Sequence, residues 1–190
     1  MKTIYLGISG EIGSGKDTIG HNLKTYKNAG VLVSSELLGK ILSLLHLDPE
    51  ERNLLQKLPL GLREHLGETV ISDAMIQDMI TSKKCIVAWN GVRFQSDVMA
   101  IKKLPNSFIV GLDTNPEIRF QRIKKRGQKS GEAELTWELF QEQSNKPTEK
   151  SIREIITNAD FILENNGTEI DFYKKIDELI EKINLKTNPQ

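Results

Sequence analysis

The sequence predicts an α/β fold in three layers, with a five-stranded parallel sheet between two layers of helices. Short apolar stretches alternate with helical ones along the chain, as is typical of parallel sheets buried on both faces. The length of 190 residues suits one α/β domain with a modest insertion, because a second core would need a longer chain. We therefore expect a single domain over residues 1–190.

The elements are predicted in order from their local patterns. Five short apolar runs indicate strands: Thr3 to Ser9, Val31 to Val33, Cys85 to Trp89, Ser107 to Leu112 and Ala159 to Leu163. Apolar residues at three- and four-residue spacing indicate helices over Lys16 to about Tyr26, Ser35 to about Ser82, and Ile170 to Ile183. The segment Thr114-Asn115-Pro116-Glu117 is typical of a helix start, with a capping residue, a proline in the first turn and an early acid.

Two segments are longer than a compact crossover needs. One is the helical insertion at about residues 35–82, in which we expect breaks near Asp48-Pro49 and Pro59-Leu60-Gly61. The other follows the fourth strand, at about residues 115–150, and its second part from Arg126 to Lys150 is polar. We call this second segment the lid region, since a glycine-bounded stretch from Gly127 to Gly131 could act as its hinge.

Composition excludes several classes of function. Lysine and arginine together number 26 and the acids also 26, so no nucleic acid polymer is expected as a partner. No apolar run approaches the roughly 20 residues of a membrane span, and the N-terminus has no signal-peptide layout. The single cysteine, Cys85, is interpreted as a small buried hydrophobe in a strand rather than a reactive thiol. We expect a cytoplasmic protein without a membrane partner; the sequence does not indicate an oligomeric state.

The strongest motif is Gly10-Glu-Ile-Gly13-Ser14-Gly15-Lys16-Asp17-Thr18. It follows a predicted strand and opens a predicted helix, which is the context of a P-loop, the glycine-rich turn that binds phosphates. Glycines let the backbone approach the phosphates, and the amides at the helix N-terminus supply positive potential. Lys16 adds a mobile cation. The motif predicts that residues 10–18, hereafter the P-loop, bind the phosphates of ATP.

The metal side of the motif is unusual. The hydroxyl that usually follows the P-loop lysine comes one residue later, at Thr18, and Asp17 takes its place. Thr18 is therefore the expected Mg²⁺-side hydroxyl, whereas Asp17 either complements the helix dipole or joins the metal shell. After the third strand, Asn90 stands where an aspartate would normally serve Mg²⁺, so it could act only through a metal-bound water.

Arginines are few, and their positions suggest bidentate contacts to phosphate. Arg119, Arg122 and Arg126 are spaced i, i+3, i+7 and share one helix face, which is either catalytic or merely a solvated basic face. Arg93 follows the third strand, at the sheet edge where ligands bind. Arg52 and Arg63 lie in the insertion, and for Arg52 a surface salt bridge is as good an interpretation as a substrate contact.

Other candidate side chains add little. The three histidines, His21, His46 and His65, are scattered through helical stretches and carry no metal or catalytic pattern. Trp89 and Trp137 are interpreted as packing residues, with ligand stacking as the alternative.

Beyond the motif, the chain resembles the P-loop nucleoside monophosphate kinase group, within it the deoxynucleoside monophosphate kinase-like and dephospho-CoA kinase-like proteins. The resemblance is carried by five segments: GEIGSGKDT (10–18), RNLLQKLPLGLREHLGE (52–68), NGVRFQSDVMAIKKLP (90–105), NPEIRFQRIKKRG (115–127) and ADFILENNGT (159–168). It implies a P-loop NTPase fold of the nucleoside monophosphate kinase type, with an acceptor-binding helical insertion and an arginine lid. The chain departs from the family at Asn90, at Glu36, where an aspartate is usual, and between Gln143 and Lys150, which lacks an acidic-arginine run.

The resemblance also implies roles for individual residues. Lys16 and the P-loop amides, including those of Gly10, Gly13, Ser14 and Gly15, would hold the ATP phosphates. Arg119, Arg122 and Arg126 would close over them, while Asn165 and Gly167, after the fifth strand, would border the adenine. Ser35 and Glu36 would contact the acceptor, and Arg63 and Arg93 would lie near its phosphate; Arg52 is a further candidate for substrate binding.

These observations support ATP-dependent phosphoryl transfer, assisted by Mg²⁺, to a nucleoside or deoxynucleoside monophosphate. In-line transfer depends on positioning and electrostatics, so the sequence need not contain a dedicated nucleophile. Two alternatives stay open. One is a dephospho-CoA kinase, for which Glu36 is the candidate general base; the other, suggested by Asn90, is a nucleotide-binding sensor without turnover.

Overall fold

The structure, a computed structural model, describes residues 2–127 and 135–187 and contains the parallel sheet that the sequence predicts. The strands are β1 Ile4–Gly10, β2 Gly30–Val33, β3 Ile86–Asn90, β4 Ser107–Asp113 and β5 Phe161–Glu164. They form one five-stranded sheet in the order β2-β3-β1-β4-β5, and every pairing is parallel. The predicted fold class is therefore confirmed.

Helices connect the strands and cover both faces of the sheet. Those in the described ranges are α1 Lys16–Tyr26, α2 Ser34–Leu44, α3 Arg52–Leu66, α4 Val70–Thr81, α5 Gln95–Lys102, α6 Pro116–Arg126, α7 Trp137–Ser144, α8 Pro147–Thr157 and α9 Glu169–Thr187. None of these helices combines the length and the apolar composition that a membrane span requires.

Two hydrophobic cores lie on opposite faces of the sheet. Alternate residues of β1, such as Leu6 and Ile8, pack with α1 and α9 in the first core. The second core lies under α4, α5 and α8 and includes the fully buried Trp89 and Ile101. Burying a side chain of this size contributes about 1.5–3 kcal/mol, so the two cores hold the strand ends at fixed positions.

Strand register brings the carboxyl ends of the strands to one edge of the sheet. Ile8 pairs with Asn90, and β2 reaches the same level because Val33 also pairs with Asn90. On the other side, Gly10 pairs with Leu112. The residues that follow β1, β2, β3 and β4 therefore come together at the edge where open α/β sheets bind ligands.

The helical insertion differs from the prediction at Pro59. The expected break near Pro59 is wrong, because α3 continues through the proline. A proline inside a helix removes one hydrogen bond, which costs about 3 kcal/mol, but Leu55, Leu58 and Leu62 pack α3 against the second core and offset that loss. The helix ends instead at Leu66, because the next residue, Gly67, has a φ of 108°, outside the helical region.

Cys85 corrects another expectation. The thiol is exposed rather than buried, because β3 begins one residue later, at Ile86. The Cys85 carbonyl still accepts a hydrogen bond from the Ile4 N–H at 2.9 Å. Its backbone therefore joins the sheet while its side chain faces water.

The described part of the lid region has its own small apolar cluster. Phe140 and Ile123 are buried there, and Trp137 and Ile12 pack against them. The Trp137 and Phe140 rings stack with centroids 5.3 Å apart. Packing is thus the confirmed role of Trp137, as it is of Trp89, whose Nε1 also donates to Ser34 Oγ at 2.7 Å. Since Ile12 belongs to the P-loop, this cluster joins α7 to that loop.

A substitution at Phe140 tests this packing. Phe140→Ala should lower the free energy of unfolding by about 3–5 kcal/mol, as for other buried phenylalanines, since the ring is 1% exposed. The neighbouring Leu139 is 48% exposed, so Leu139→Ala should change stability by no more than about 0.5 kcal/mol. Urea denaturation measures both, and equal losses would contradict the described packing of α7.

Candidate nucleotide-binding site

The P-loop forms a tight turn between β1 and α1, and two glycines make the turn possible. Gly13 and Gly15 have φ values of 79° and 100°, in the left-handed region that side chains disfavour. A Cβ at Gly13 would lie 2.8 Å from the Arg119 carbonyl oxygen, and one at Gly15 would lie 2.3 Å from Asn165 Nδ2. Both contacts are shorter than a carbon atom tolerates. The loop therefore keeps its shape only with glycine at these positions.

Ser14, between the two glycines, is fixed through its carbonyl oxygen. This oxygen accepts hydrogen bonds from Asn165 Nδ2 at 2.8 Å and from Thr114 Oγ1 at 3.1 Å. Asn165 follows β5 and Thr114 follows β4, so both neighbouring strand ends hold the loop. The Ser14 hydroxyl oxygen is buried without a hydrogen-bond partner among the described residues.

Lys16 lies across the mouth of the loop. Its Nζ donates to the Glu11 carbonyl oxygen at 3.1 Å, and the side chain is half-buried. The same carbonyl oxygen accepts from the Ser14 N–H at 3.1 Å. The lysine head and the first amides of α1 therefore converge on one small region, a site with positive potential for an anion.

Asp17 points away from the loop. Its carboxylate is 84% exposed and lies 3.9 Å from Arg126 Nη1. As an acid in the first turn of α1, it complements the helix dipole. This placement favours the structural interpretation of Asp17 over a role in the metal shell.

A magnesium ion would find oxygen ligands at Thr18 and near Asn90. Thr18 is half-buried in the first turn of α1. Asn90 is 4% exposed, and its Oδ1 has no hydrogen-bond partner among the described residues. Within the described ranges no group of three or more His, Cys, Asp or Glu side chains could hold a metal. These residues fit Mg²⁺ that is bound mainly through nucleotide phosphates, with Asn90 available to a metal-bound water.

Arg119 lies beneath the P-loop, not on an open lid face. Its side chain is 3% exposed and forms an ion pair with Glu11 Oε2 at 3.2 Å. Its Nε and Nη1 donate to the carbonyl oxygens of Thr114 and Ile12, at 3.2 and 3.3 Å. Burial lowers the pKa of Arg119, and the charge of Glu11 opposes that shift. This burial rules out the solvated basic face for Arg119, while its expected role over the ATP phosphates stays a prediction.

Arg122 and Arg126 continue the same helix face. Arg122 Nη2 donates to Asn165 Oδ1 at 3.3 Å and to the Gly167 carbonyl oxygen at 3.4 Å. Its Nη1 is buried without a described partner, and burial lowers the pKa of Arg122. Asn165 itself is buried against the P-loop, whereas Gly167 is exposed beside it. The expected hinge residues beyond Gly127, including Gly131, lie outside the described residues.

The residues expected to contact the acceptor meet at the same sheet edge. Ser35 and Glu36 are exposed in the first turn of α2, directly after β2, and Arg93 is exposed just after β3. Arg63 is buried at 9% exposure and its guanidinium lies 4.2 Å from the centroid of the Phe94 ring. The side chain of Arg52 lies outside the described residues.

Asp97 organises this edge of the sheet, although it is absent from the candidates that the sequence suggests. Its Oδ1 accepts from Ser72 Oγ at 2.6 Å and from Arg63 Nη2 at 3.1 Å. Its Oδ2 accepts from the backbone N–H groups of Arg93 and Phe94, both at 3.1 Å. The available signal was the acid in the first turn of α5, three residues after Phe94. Asp97 thus fixes both the loop that carries Arg93 and the buried Arg63.

Comparison with known proteins agrees with this architecture. No protein-family model matches the chain. A UPF0200 protein of Sulfurisphaera tokodaii is 29% identical over 178 residues, which cover 94% of this chain and 96% of that protein. A UPF0200 protein of Pyrococcus horikoshii is 28% identical over 183 residues, with 90% and 92% coverage.

Solved structures show the fold. Dephospho-CoA kinase from Campylobacter jejuni is similar with a TM-score of 0.60 and 18% identity, covering 99% of this chain and all of that one (100%). Shikimate kinase from Bacteroides thetaiotaomicron is similar with a TM-score of 0.63 and 15% identity, covering 94% and 98%. The chain therefore has the fold of P-loop kinases.

Gly15 provides a test of the loop geometry. Gly15→Ala should lower the free energy of unfolding by about 1–3 kcal/mol, because the new Cβ meets Asn165 and the backbone is strained. At Gly61, within α3, an added Cβ would have nothing within 4 Å, so Gly61→Ala should raise stability by up to about 1 kcal/mol. Chemical denaturation measures both, and a Gly15→Ala protein as stable as wild type would contradict the described turn.

Asp97 can be tested by amide hydrogen exchange. In Asp97→Ala the amides of Arg93 and Phe94 should exchange at least about tenfold faster, since a hydrogen bond to a charged acceptor contributes about 1.5–3 kcal/mol. The matched variant is Asp78→Ala, because Asp78 is an exposed acid of α4. Unchanged protection of both amides in Asp97→Ala would show that the carboxylate does not hold this loop.

Proposed function

We propose that this protein is an ATP-dependent phosphotransferase whose acceptor is a nucleoside or deoxynucleoside monophosphate. The observation that carries the proposal is the P-loop, in which two glycines, the Ser14 carbonyl contacts and Lys16 shape a cradle for phosphate at the N-terminus of α1. The P-loop kinase fold of the chain supports the same reaction class.

The donor is assigned to the cradle. The amides of the P-loop and of the first turn of α1 donate to the β- and γ-phosphates of ATP, and Lys16 moves from the Glu11 carbonyl to a phosphate oxygen. Arg122, beside Asn165 and Gly167, lies on the side assigned to the adenosine. Thr18, and Asn90 through a metal-bound water, would hold Mg²⁺, which would supply positive charge to neutralise the phosphates.

The acceptor is assigned to the edge beyond β2 and β3. Its phosphate is the nucleophile: one of its oxygens attacks the γ-phosphorus while the bond from that phosphorus to the β-bridging oxygen breaks, giving ADP and a diphosphate product. Arg93, exposed at this edge, is the candidate for binding the acceptor phosphate, and Ser35 and Glu36 would contact the nucleoside. Arg63 acts by shaping the site, since Asp97 and Phe94 already hold its guanidinium.

Asn90 supports a second candidate, a nucleotide sensor that binds ATP without transferring phosphate. The end of β3 contributes a neutral amide, so the metal-side charge is smaller than an aspartate would give. In this case the cradle binds nucleotide and turnover is absent with every acceptor.

An assay of ADP release tests the leading proposal. Purified protein with Mg·ATP should turn over with at least one member of a panel of ribo- and deoxyribonucleoside monophosphates. Lys16→Met should lower kcat/KM by about 10²–10³-fold, because it removes a charge that stabilises the transferred phosphoryl group. Lys24→Met, at an exposed position of the same helix, should leave the rate unchanged.

The same assay with dephospho-CoA added to the panel separates the alternatives. Turnover confined to dephospho-CoA would replace the monophosphate acceptor with a ribose hydroxyl, for which Glu36 would serve as general base. The sensor would be favoured if the wild type binds ATP without turnover and the Asn90→Asp variant gains turnover. Turnover that survives Lys16→Met would contradict the assignment of the P-loop.

A further inference from the structure

Glu11 is a carboxylate inside the loop that receives a polyanion. It is the second residue of the P-loop, and its side chain is 12% exposed. A negative charge here works against phosphate binding unless nearby cations balance it. The proposed function gives this residue no task.

Two arginines balance that charge. Glu11 Oε2 pairs with Arg119 Nη2 at 3.2 Å, and Glu11 Oε1 accepts from Arg153 Nε at 2.9 Å. The guanidinium of Arg153 also donates through Nη2 to the carbonyl oxygen of Ser144, the last residue of α7. These three side chains together carry one net positive charge, and the carboxylates of Glu149 and Asp113 also act on Arg119.

The partners of Glu11 lie on different helices, before and after residues 128–134 in the chain. Arg119 belongs to α6, which precedes residues 128–134, and Arg153 belongs to α8, which follows them. Arg119 is 3% exposed, whereas Arg153 is 44% exposed. The Glu11 carboxylate therefore links the P-loop to a buried cation on α6 and to an accessible cation on α8.

We propose that Glu11 is a positioning residue that limits the affinity of the P-loop for nucleotide by neutralising one of these two arginine charges. The inference rests on the proposed function, because it concerns the same phosphate site. With the carboxylate present, the positive charge beside the P-loop is one unit smaller, which lets ADP leave the loop. Without it, that additional unit of positive charge holds ADP more tightly and slows its release.

A charge cycle on the full chain tests this role, with Mg·ADP as the probe in isothermal titration calorimetry. Glu11→Gln keeps an oxygen acceptor for the arginines and removes the charge, so it should tighten ADP binding by about three- to tenfold. Arg153→Gln should weaken binding by a similar factor, and the double variant should return close to the wild-type value. In turnover, Glu11→Gln should lower kcat while KM for ATP also falls.

Controls separate charge from architecture. Glu178→Gln removes one exposed acid of α9 and should leave ADP affinity unchanged. Arg153→Lys keeps the charge and should bind ADP within about twofold of wild type. If Glu11→Gln does not fold, Arg153→Gln and Arg153→Lys test the charge role. That role predicts weaker ADP binding in Arg153→Gln and unchanged binding in Arg153→Lys.

The outcomes also distinguish the two proposals. Wild-type protein that does not bind Mg·ADP overturns the proposed function, and with it this inference. If wild type binds Mg·ADP and a folded Glu11→Gln protein binds it equally well or more weakly, the inference alone is overturned. A purely structural link would make both single variants, and the double variant, bind more weakly than wild type.

Discussion

The Ser14 peptide is the constraint on which the candidate site depends. Its carbonyl oxygen is held by Thr114 after β4 and by Asn165 after β5, so two strand ends beside β1 set the position of the loop. Gly13 and Gly15 allow this close approach, because a Cβ at Gly13 would overlap the Arg119 carbonyl and one at Gly15 would overlap Asn165. Because the Ser14 carbonyl oxygen is held by these two residues, the backbone N–H groups that follow it, at the start of α1, are directed to the side assigned to the ligand. The sheet, whose cores are packed on both faces, thus fixes the position of the loop through the two strand ends.

Two carboxylates arrange the cations around this loop. Asp97 fixes Arg63 and the backbone of the segment that carries Arg93 on the side assigned to the acceptor. Glu11 does the same for Arg119 and Arg153 on the side assigned to the donor. Most of these arginines are therefore held before any nucleotide arrives, which reduces the entropy lost on binding. The side chain of Arg93 is exposed, and Asp97 fixes the backbone of Arg93 but not its guanidinium.

Local patterns predicted the sheet, the P-loop and the face shared by the three arginines of α6, because strand burial, glycine turns and helix spacing depend on near neighbours. They failed where distant packing decides. Pro59 stays helical because α3 packs on the second core, and Cys85 is exposed because β3 begins one residue after it. The partners of Asp97 and Glu11 could not be predicted from spacing alone, since Arg63 is 34 residues from Asp97 and Arg153 is 142 residues from Glu11. Helices α7 and α8 were also not predicted, because residues 126–150 are largely polar and show no long apolar period.

Nuclear magnetic resonance of the ¹⁵N-labelled chain, titrated with Mg·ADP, is the decisive test of the P-loop as a phosphate site. If the P-loop grips the nucleotide phosphates, the largest amide shift changes will fall on Gly13, Gly15 and Lys16 and on the first turn of α1. Smaller changes are expected at Asn165 and Gly167, and the amides of α4 should not move. Shift changes centred away from residues 10–18, or none at saturating nucleotide, would contradict the assignment of this site.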